Sequence, residues 1–174
     1  MKVFIIVTLF AILIMGCTTV QEKKYKISGK ILQTSSYCGG TISSQELIDQ
    51  MKKEKPFPNK KLYIRNGNIN TESNVVQEFT SSEDGKFIIN LPSGKYCIIE
   101  DIKKDELKIP DFSEMNKNLP SYSQYHVESD ECFQNWWSTC DNVLSVENKD
   151  ISNFEIRFHQ SCSQPCVSGG PIPQ

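Results

Sequence analysis

Apolar and polar residues alternate along several short segments of the chain. From Tyr25 to Ile31 every second residue is aromatic, aliphatic or glycine, while the intervening residues are lysine or serine. A period of two residues predicts a half-buried strand, because successive side chains of a strand point to opposite faces. The same alternation returns in residues 62–65, 75–79, 87–91, 96–99, 143–146 and 154–159.

Turn signals separate these segments. Asn66-Gly67, Asp84-Gly85 and Pro92-Ser93-Gly94 combine residue types that favour tight turns, and we expect the last two to close hairpins. About seven short strands, with turn signals about every 8–12 residues, predict an all-β fold built as an antiparallel β-sandwich. The pattern shows no alternation of strands with helices that would indicate a parallel sheet.

Two inserts interrupt the strand pattern, and each is predicted to hold a short helix. In residues 36–57, Ser43 precedes Glu46 by three positions, which is the spacing of a capping box before an amphipathic helix. Residues 101–142 begin as a charged, proline-interrupted stretch. They end in a second predicted helix from Ser129 to Cys140, with Ser129 as its N-cap.

The N-terminus has the pattern of an export signal. Lys2 precedes an apolar run over residues 3–15, which has the length of a signal-peptide core and is short for a membrane span of about 20 residues. The tetrapeptide Ile-Met-Gly-Cys at 14–17 resembles a bacterial lipobox. That resemblance implies cleavage before Cys17 and acylation of this cysteine. An uncleaved anchor helix over residues 3–20 is the alternative.

These features divide the chain into a leader, a tether, one domain and a tail. Thr18 stands where enteric-type sorting needs an aspartate to keep a lipoprotein at the inner membrane, so the outer membrane is favoured. The predicted divisions are a signal peptide at 1–16, a polar tether at 17–24, a β-sandwich at 25–160 with inserts at 36–57 and 101–142, and a Cys/Gly/Pro-rich tail at 161–174.

The mature chain carries six further cysteines, which in an exported protein predict a disulfide framework. They are Cys38, Cys97, Cys132, Cys140, Cys162 and Cys166. If residues 129–140 form one helix, Cys132 and Cys140 lie about 12 Å apart along its axis and cannot pair with each other. Cys97 points away from the core face of its strand, so we expect it to bond to Cys132 or Cys140 and clip the insert 101–142 over the sheet.

The segment 82–96, Ser-Glu-Asp-Gly-Lys-Phe-Ile-Ile-Asn-Leu-Pro-Ser-Gly-Lys-Tyr, resembles the turn–strand–turn core of carboxypeptidase regulatory-like domains. Members of that family share a transthyretin-like (prealbumin-like) sandwich, so the resemblance implies this fold. It covers roughly residues 25–35, 58–100 and 143–160, and the cysteine-bearing segments outside it look like additions found in small lipoproteins of Bacteroidetes-type bacteria. The motif implies a fold and says almost nothing about function.

Two constellations are candidates for binding chemistry. His159, Cys162 and Cys166 have a spacing that suits a soft metal ion or redox chemistry, although cysteines of an exported chain usually pair. Trp136 and Trp137 lie on the second predicted helix about 100° apart, so they cannot both face the core. They form either an aromatic platform for a sugar or peptide, or one packed ring beside a half-exposed one.

Composition and charge narrow the function classes. The formal net charge of −2 gives no reason to expect a nucleic-acid partner, and basic pairs such as Lys103-Lys104 are interleaved with acids and predicted to be solvated. The chain has two histidines and no serine-hydrolase elbow or HExxH motif, so we predict no enzyme and no cofactor. The expected function is a lipid-anchored envelope module, binding or structural, with a protein or glycan partner. The alternative is a periplasmic metal-binding or redox-linked protein using His159, Cys162 and Cys166.

Overall fold

The fold is described by a computed structural model. Its described residues are 22–38, 44–71, 73–105, 126–127, 129–162 and 165–168. The predicted signal peptide and the predicted lipidation site, Cys17, lie outside them. No helix within these ranges is long and apolar enough to cross a membrane.

Strands dominate the described residues, as the alternation predicts, and seven of them have at least five residues. The strands are β1 (Lys24–Ser35), β2 (Lys55–Pro56), β3 (Lys61–Asn66), β4 (Val75–Thr80), β5 (Lys86–Pro92), β6 (Gly94–Glu100), β7 (His126–Val127), β8 (Asn142–Val146), β9 (Ile151–Gln160) and β10 (Val167–Ser168). Two helices, α1 (Gln45–Lys52) and α2 (Asp130–Ser138), and a 3₁₀ turn over Asp101–Lys103 accompany them.

The strands form two main sheets. In the first, β1 is central, with β5 and β2 along one edge and β9 along the other. The second has the order β4-β3-β6-β8 and is antiparallel throughout. A small third ladder joins β10 of the tail to β7 of the 101–142 insert, so the tail is held against that insert.

The prediction of a purely antiparallel sandwich is wrong at one place, because β9 runs parallel to β1. Gly29 is opposite Phe154 and Ser35 is opposite Gln160 in this ladder. β8 finishes at the end of the sheets where β1 begins. β9 starts at that end, beside β1, and therefore runs in the direction of β1. Alternation shows which face of a strand is buried, but it does not show whether the neighbouring strand runs parallel or antiparallel.

The expectation of hairpins at two turns is also wrong. The Asp84-Gly85 turn joins β4 of the second sheet to β5 of the first, and the turn at residues 92–94 joins β5 to β6 of the second sheet. Both turns therefore carry the chain from one sheet to the other. Gly85 still meets a local demand, because its φ is +75° and a Cβ there would lie 2.7 Å from the Ile31 carbonyl oxygen.

One apolar core fills the space between the two sheets. Phe87 and Ile89 of β5, Tyr96 and Ile98 of β6, and Ile156 of β9 are buried together, as the alternation predicts. Phe158 is only partly buried and packs at the edge of this core. A second, smaller cluster lies on the outer face of the second sheet and contains Tyr63, Cys97 and Ile99, with Val75 and Cys140 packed against it.

Both predicted helices form, each with one corrected boundary. α1 begins at Gln45, and the hydroxyl of Ser44 accepts a hydrogen bond from the Leu47 amide at 3.3 Å, so Ser44 is its N-cap. The capping box predicted from Ser43 and Glu46 is therefore displaced, and Ser43 lies outside the described residues. α2 has Ser129 as N-cap, as predicted, but ends at Ser138, before Cys140.

The two ends of the sandwich differ. At one end, where the predicted tether enters, Lys24 pairs with Pro92 and Gly94 pairs with Val146. At the other end β1 and β9 finish together, and Lys60 lies over the rings of Phe57 and Phe158 while it pairs with Glu100 at the end of β6. The inserts and the tail leave the sheets at this second end, which we call the distal end.

Candidate functional site

α2 is the element around which the candidate site is built. The Ser129 hydroxyl accepts from the Cys132 amide at 3.4 Å, and Asp130 and Glu131 in the first turn suit the positive end of the helix dipole. At its other end the Thr139 hydroxyl donates to the Asn135 carbonyl at 2.7 Å. These local bonds explain why a polar segment forms a short helix here.

Disulfides fix α2 at both ends. Cys132, in the first turn, bonds to Cys166 of the tail, and Cys140, just beyond the last turn, bonds to Cys97 of β6. The predicted clip from Cys97 to Cys132 or Cys140 is thus confirmed, with Cys140 as the partner. The third disulfide joins Cys38 to Cys162 and ties the 36–57 insert to the tail.

A buried ion pair lies beneath α2. The ammonium of Lys103, whose side chain is 3% exposed, lies 2.7 Å from an Asp141 carboxylate oxygen and also donates to the Thr139 carbonyl at 2.9 Å. The same ammonium is 4.8 Å from the ring centre of Trp136. The other Asp141 oxygen accepts from the Glu100 amide at 2.8 Å. Each charge is therefore compensated, as buried charges need to be.

Asn70 holds the C-terminal turn of α2 to the body of the protein. Its side-chain amide donates to the carbonyls of Lys103 and Trp137 at 3.1 and 2.8 Å, and its backbone amide donates to the Ser138 carbonyl at 2.7 Å. The side chain is buried. The indole N–H of Trp137 is also engaged, with the Asp105 carbonyl at 3.1 Å.

The two tryptophans line different pockets. Trp137 lines a pocket of about 420 Å³ together with Arg65, Val75 and Lys104. Trp136 is half-buried, packs edge-on against Phe133 with ring centres 6.3 Å apart, and lines an open groove of about 740 Å³. The described lining of this groove, which we call the Trp136 groove, is Lys103, Ser129, Glu131, Cys132, Asn135, Trp136, Thr139, Cys140 and Asp141.

The structure does not assemble His159, Cys162 and Cys166 as a ligand set. The two cysteines form disulfides with different partners. The imidazole of His159 is within 2.9 Å of the Thr34 hydroxyl and 2.8 Å of the Ser36 hydroxyl, where it joins the ends of β1 and β9. Within the described ranges no three His, Cys, Asp or Glu side chains are grouped as a metal site.

Sequence reasoning missed the polar residues that support the site. The Lys103-Lys104 pair was predicted to be solvated, and this is wrong for Lys103, because Asp141 and Trp136 fold over it from more than thirty positions away. Asn70 gives no signal in the sequence, since its partners are all backbone carbonyls of distant segments.

Comparison with known proteins identifies no family. No family model and no curated protein matches the chain. Among solved structures, the Bacillus anthracis TIE protein is similar at 16% identity with a TM-score of 0.29, over 79% of this chain and 17% of that one. The chain thus spans about a sixth of that protein, and the likeness carries no argument about fold or function.

Proposed function

We propose that the protein is an exported, lipid-anchored and non-enzymatic binding module of the cell envelope, and that its partner binds in the Trp136 groove. The observation that carries the proposal is the position of this groove. Asp141, beside Glu100, is at the distal end, whereas Lys24, the last residue of the predicted tether, is at the other end. A chain anchored at Cys17 would therefore present the groove away from the membrane.

Export is supported by the disulfides. Three of them link the six cysteines that follow Cys17, which indicates an extracellular or periplasmic protein. Lipidation rests on the Gly16-Cys17 sequence after the apolar run, and outer-membrane placement rests on Thr18. Two or more acyl chains would give stable anchoring, where one chain gives only marginal binding.

The anchor is tested by metabolic labelling with an alkyne fatty acid. We expect label on the wild-type protein and none on Cys17→Ser, which should appear as soluble or unprocessed protein. Cys38→Ser is not a suitable control, because it breaks a disulfide. The control is Ser28→Cys, which adds a thiol away from the leader and should carry the same label as the wild type. Equal labelling of Cys17→Ser and wild type would remove the lipid anchor from the proposal.

The transthyretin-like assignment belongs to the same proposal. It is supported by two facing sheets with one core and by the segment 82–96, in which Phe87 and Tyr96 are both buried in that core. In a module of this kind the sandwich acts as a rigid support and the inserts provide the binding surface. The 101–142 insert, which carries α2, has that role here.

Binding is tested with the mature protein on beads and detergent-solubilised envelope from the source cells. We expect envelope material to be retained by the wild type and lost with Trp136→Ala. Ile88→Ala is a matched control, since Ile88 is 63% exposed on the outer face of the other sheet and distant from the groove. Retention that is equal for wild type, Trp136→Ala and Ile88→Ala would contradict the proposed site.

A further inference from the structure

The chemistry of the Trp136 groove restricts what it binds. Apart from the Trp136 ring and two disulfide-bonded cysteines, its described lining is polar. Glu131 and Asn135 are exposed, and neither side chain has a hydrogen-bond partner in the described part of the chain. The groove therefore suits a partner that offers an apolar surface together with hydrogen-bonding groups.

Charge argues against an anionic ligand. Such a ligand meets the Glu131 carboxylate, while the positive charge of Lys103 is buried and neutralised by Asp141. A neutral ligand with many hydroxyl groups avoids this repulsion.

The exposed polar groups of the groove are spaced for such a ligand. Glu131 and Asn135 are four residues apart on α2, so their side chains are neighbours about 6 Å apart on one helix face, and Trp136 follows directly. A carboxylate accepts hydrogen bonds and a side-chain amide both donates and accepts them, which matches vicinal hydroxyls. The flat indole offers an apolar surface for the C–H face of a pyranose ring.

The groove is also held rigid before a ligand arrives. The disulfides at Cys132 and Cys140 fix both ends of α2, and the Lys103–Asp141 pair fixes its base. A rigid site loses less conformational entropy on binding. This matters most for a strongly hydrated ligand, whose contacts contribute little net free energy of binding.

We propose that the Trp136 groove binds a neutral glycan, with Trp136 as the stacking surface and Glu131 and Asn135 as hydrogen-bonding partners of its hydroxyls. This inference rests on the proposed function and specifies its ligand. It assigns the insert, rather than the sandwich, as the recognition element.

Intrinsic fluorescence tests the inference, because both tryptophans of the chain lie in α2 and can be separated. The mature protein is titrated with neutral hexasaccharides of α-1,4-glucose, β-1,4-glucose, β-1,4-mannose and β-1,4-N-acetylglucosamine. We expect at least one sugar to change the emission of the wild type and of Trp137→Phe, and no sugar to change that of Trp136→Phe. Calorimetry should show at least tenfold weaker binding for Trp136→Ala and for Glu131→Ala. Gln134→Ala, an exposed α2 residue outside the groove lining, should bind as the wild type does.

Two results overturn the inference. One is the absence of binding to all four sugars at millimolar concentration, and the other is sugar binding that Trp136→Ala leaves unchanged. If Trp136-dependent retention of envelope protein persists in either case, the glycan is wrong while the binding module stands. If the retention is also absent, the proposed function itself fails. A thermal midpoint for each variant separates lost binding from lost folding.

Discussion

Lys103 and Asp141 form an ion pair with 2.7 Å between ammonium nitrogen and carboxylate oxygen, although their side chains are only 3% and 16% exposed. The pair joins the start of the 101–142 insert to its end. Asp141 also caps the Glu100 amide, and the Lys103 ammonium also reaches the Thr139 carbonyl. The two ends of the insert are thus joined by buried polar contacts, and the disulfide from Cys97 of β6 to Cys140 closes the same loop.

Replacing Lys103 by Met should therefore be strongly destabilising. Removing one partner of a buried ion pair leaves the other charge without compensation, and the cost is about 3–5 kcal/mol in the free energy of unfolding. Chemical denaturation measures the change. Lys149→Met is the matched control, because Lys149 and Glu147 form a pair that is more than 70% exposed, whose loss should cost about 0–1 kcal/mol. Equal stability of the two variants would show that Lys103 is not buried in solution.

The three disulfides should differ in their resistance to reduction. Cys97 is fully buried, whereas Cys38 and Cys162 are both exposed. Because thiol–disulfide exchange needs access to a sulfur atom, dithiothreitol should open Cys38–Cys162 before Cys97–Cys140. Differential alkylation followed by mass spectrometry gives the order. Release of Cys97 before Cys38 would contradict the burial of the clip.

Losing the clip should weaken the fold considerably. The Cys97–Cys140 bond spans 43 positions, and a loop of that length contributes about 4 kcal/mol in the chain-entropy model. We expect the double variant Cys97→Ala/Cys140→Ala to unfold at lower denaturant by a corresponding amount. The double variant Cys38→Ala/Cys162→Ala leaves the clip intact and is the control for the effect on α2. Only Cys97→Ala/Cys140→Ala should shift the emission maximum of Trp136 to longer wavelength.

The sequence pattern identified the faces of the strands but not their partners. Alternation placed Phe87 and Tyr96 in the core and Cys97 on the opposite face, because burial on one side of a strand leaves a period of two. The parallel pairing of β9 with β1 leaves no such trace. Nor could local turn chemistry show that residues 84–85 and 92–94 connect different sheets, since both kinds of connection use the same turn residues.

The candidate site was predictable only in part. Two adjacent tryptophans on a helix with an N-cap indicate α2 as a candidate site. The length of the predicted helix excludes a bond between Cys132 and Cys140. The groove itself depends on Lys103, Asp141 and Asn70, which come together across 33 to 67 positions of sequence. Long-range polar contacts of this kind have no period along the chain.

Truncation of a core ring tests the face assignment. Phe87 is 5% exposed and its ring centre is 4.9 Å from that of Phe79 in the opposite sheet. Phe87→Ala should lower the free energy of unfolding by about 3–5 kcal/mol, measured by chemical denaturation. The neighbouring Ile88 points outward and is 63% exposed, so Ile88→Ala should change stability by less than about 0.5 kcal/mol. A reversed order of the two effects would mean that the strand faces are exchanged.

The turn before β5 should respond to acid. Hydrogen bonds from Lys86 and then Ser82 lower the pKa of Asp84 to about 2 from its usual 3.8. A lowered pKa means that the carboxylate stabilises the folded state fully above the unfolded pKa, and that this contribution is lost as the pH falls through the folded value. Wild type should thus exceed Asp84→Asn in stability at about pH 6, and the difference should shrink as the pH falls through about 2. A difference that is constant between these pH values would contradict the assignment.

Gly29 is the position where the parallel ladder leaves no room for a side chain. A Cβ added there would lie 1.8 Å from the Phe154 carbonyl oxygen and 3.0 Å from the Phe87 ring. The crowding arises at the register shift in the β1–β9 ladder, where Asn153 has a positive φ of 61° and the β9 backbone bulges towards β1.

Gly29→Ala should therefore cost at least about 1–3 kcal/mol, because the two backbones must move apart to accept one methyl group. Ser28→Ala, one residue earlier on the same strand, faces the other side of the sheet and should stay within about 0.5 kcal/mol of wild type. Urea denaturation of both variants decides the matter. If Gly29→Ala is as stable as Ser28→Ala, then β9 does not approach β1 this closely, and its parallel pairing at Phe154 is wrong.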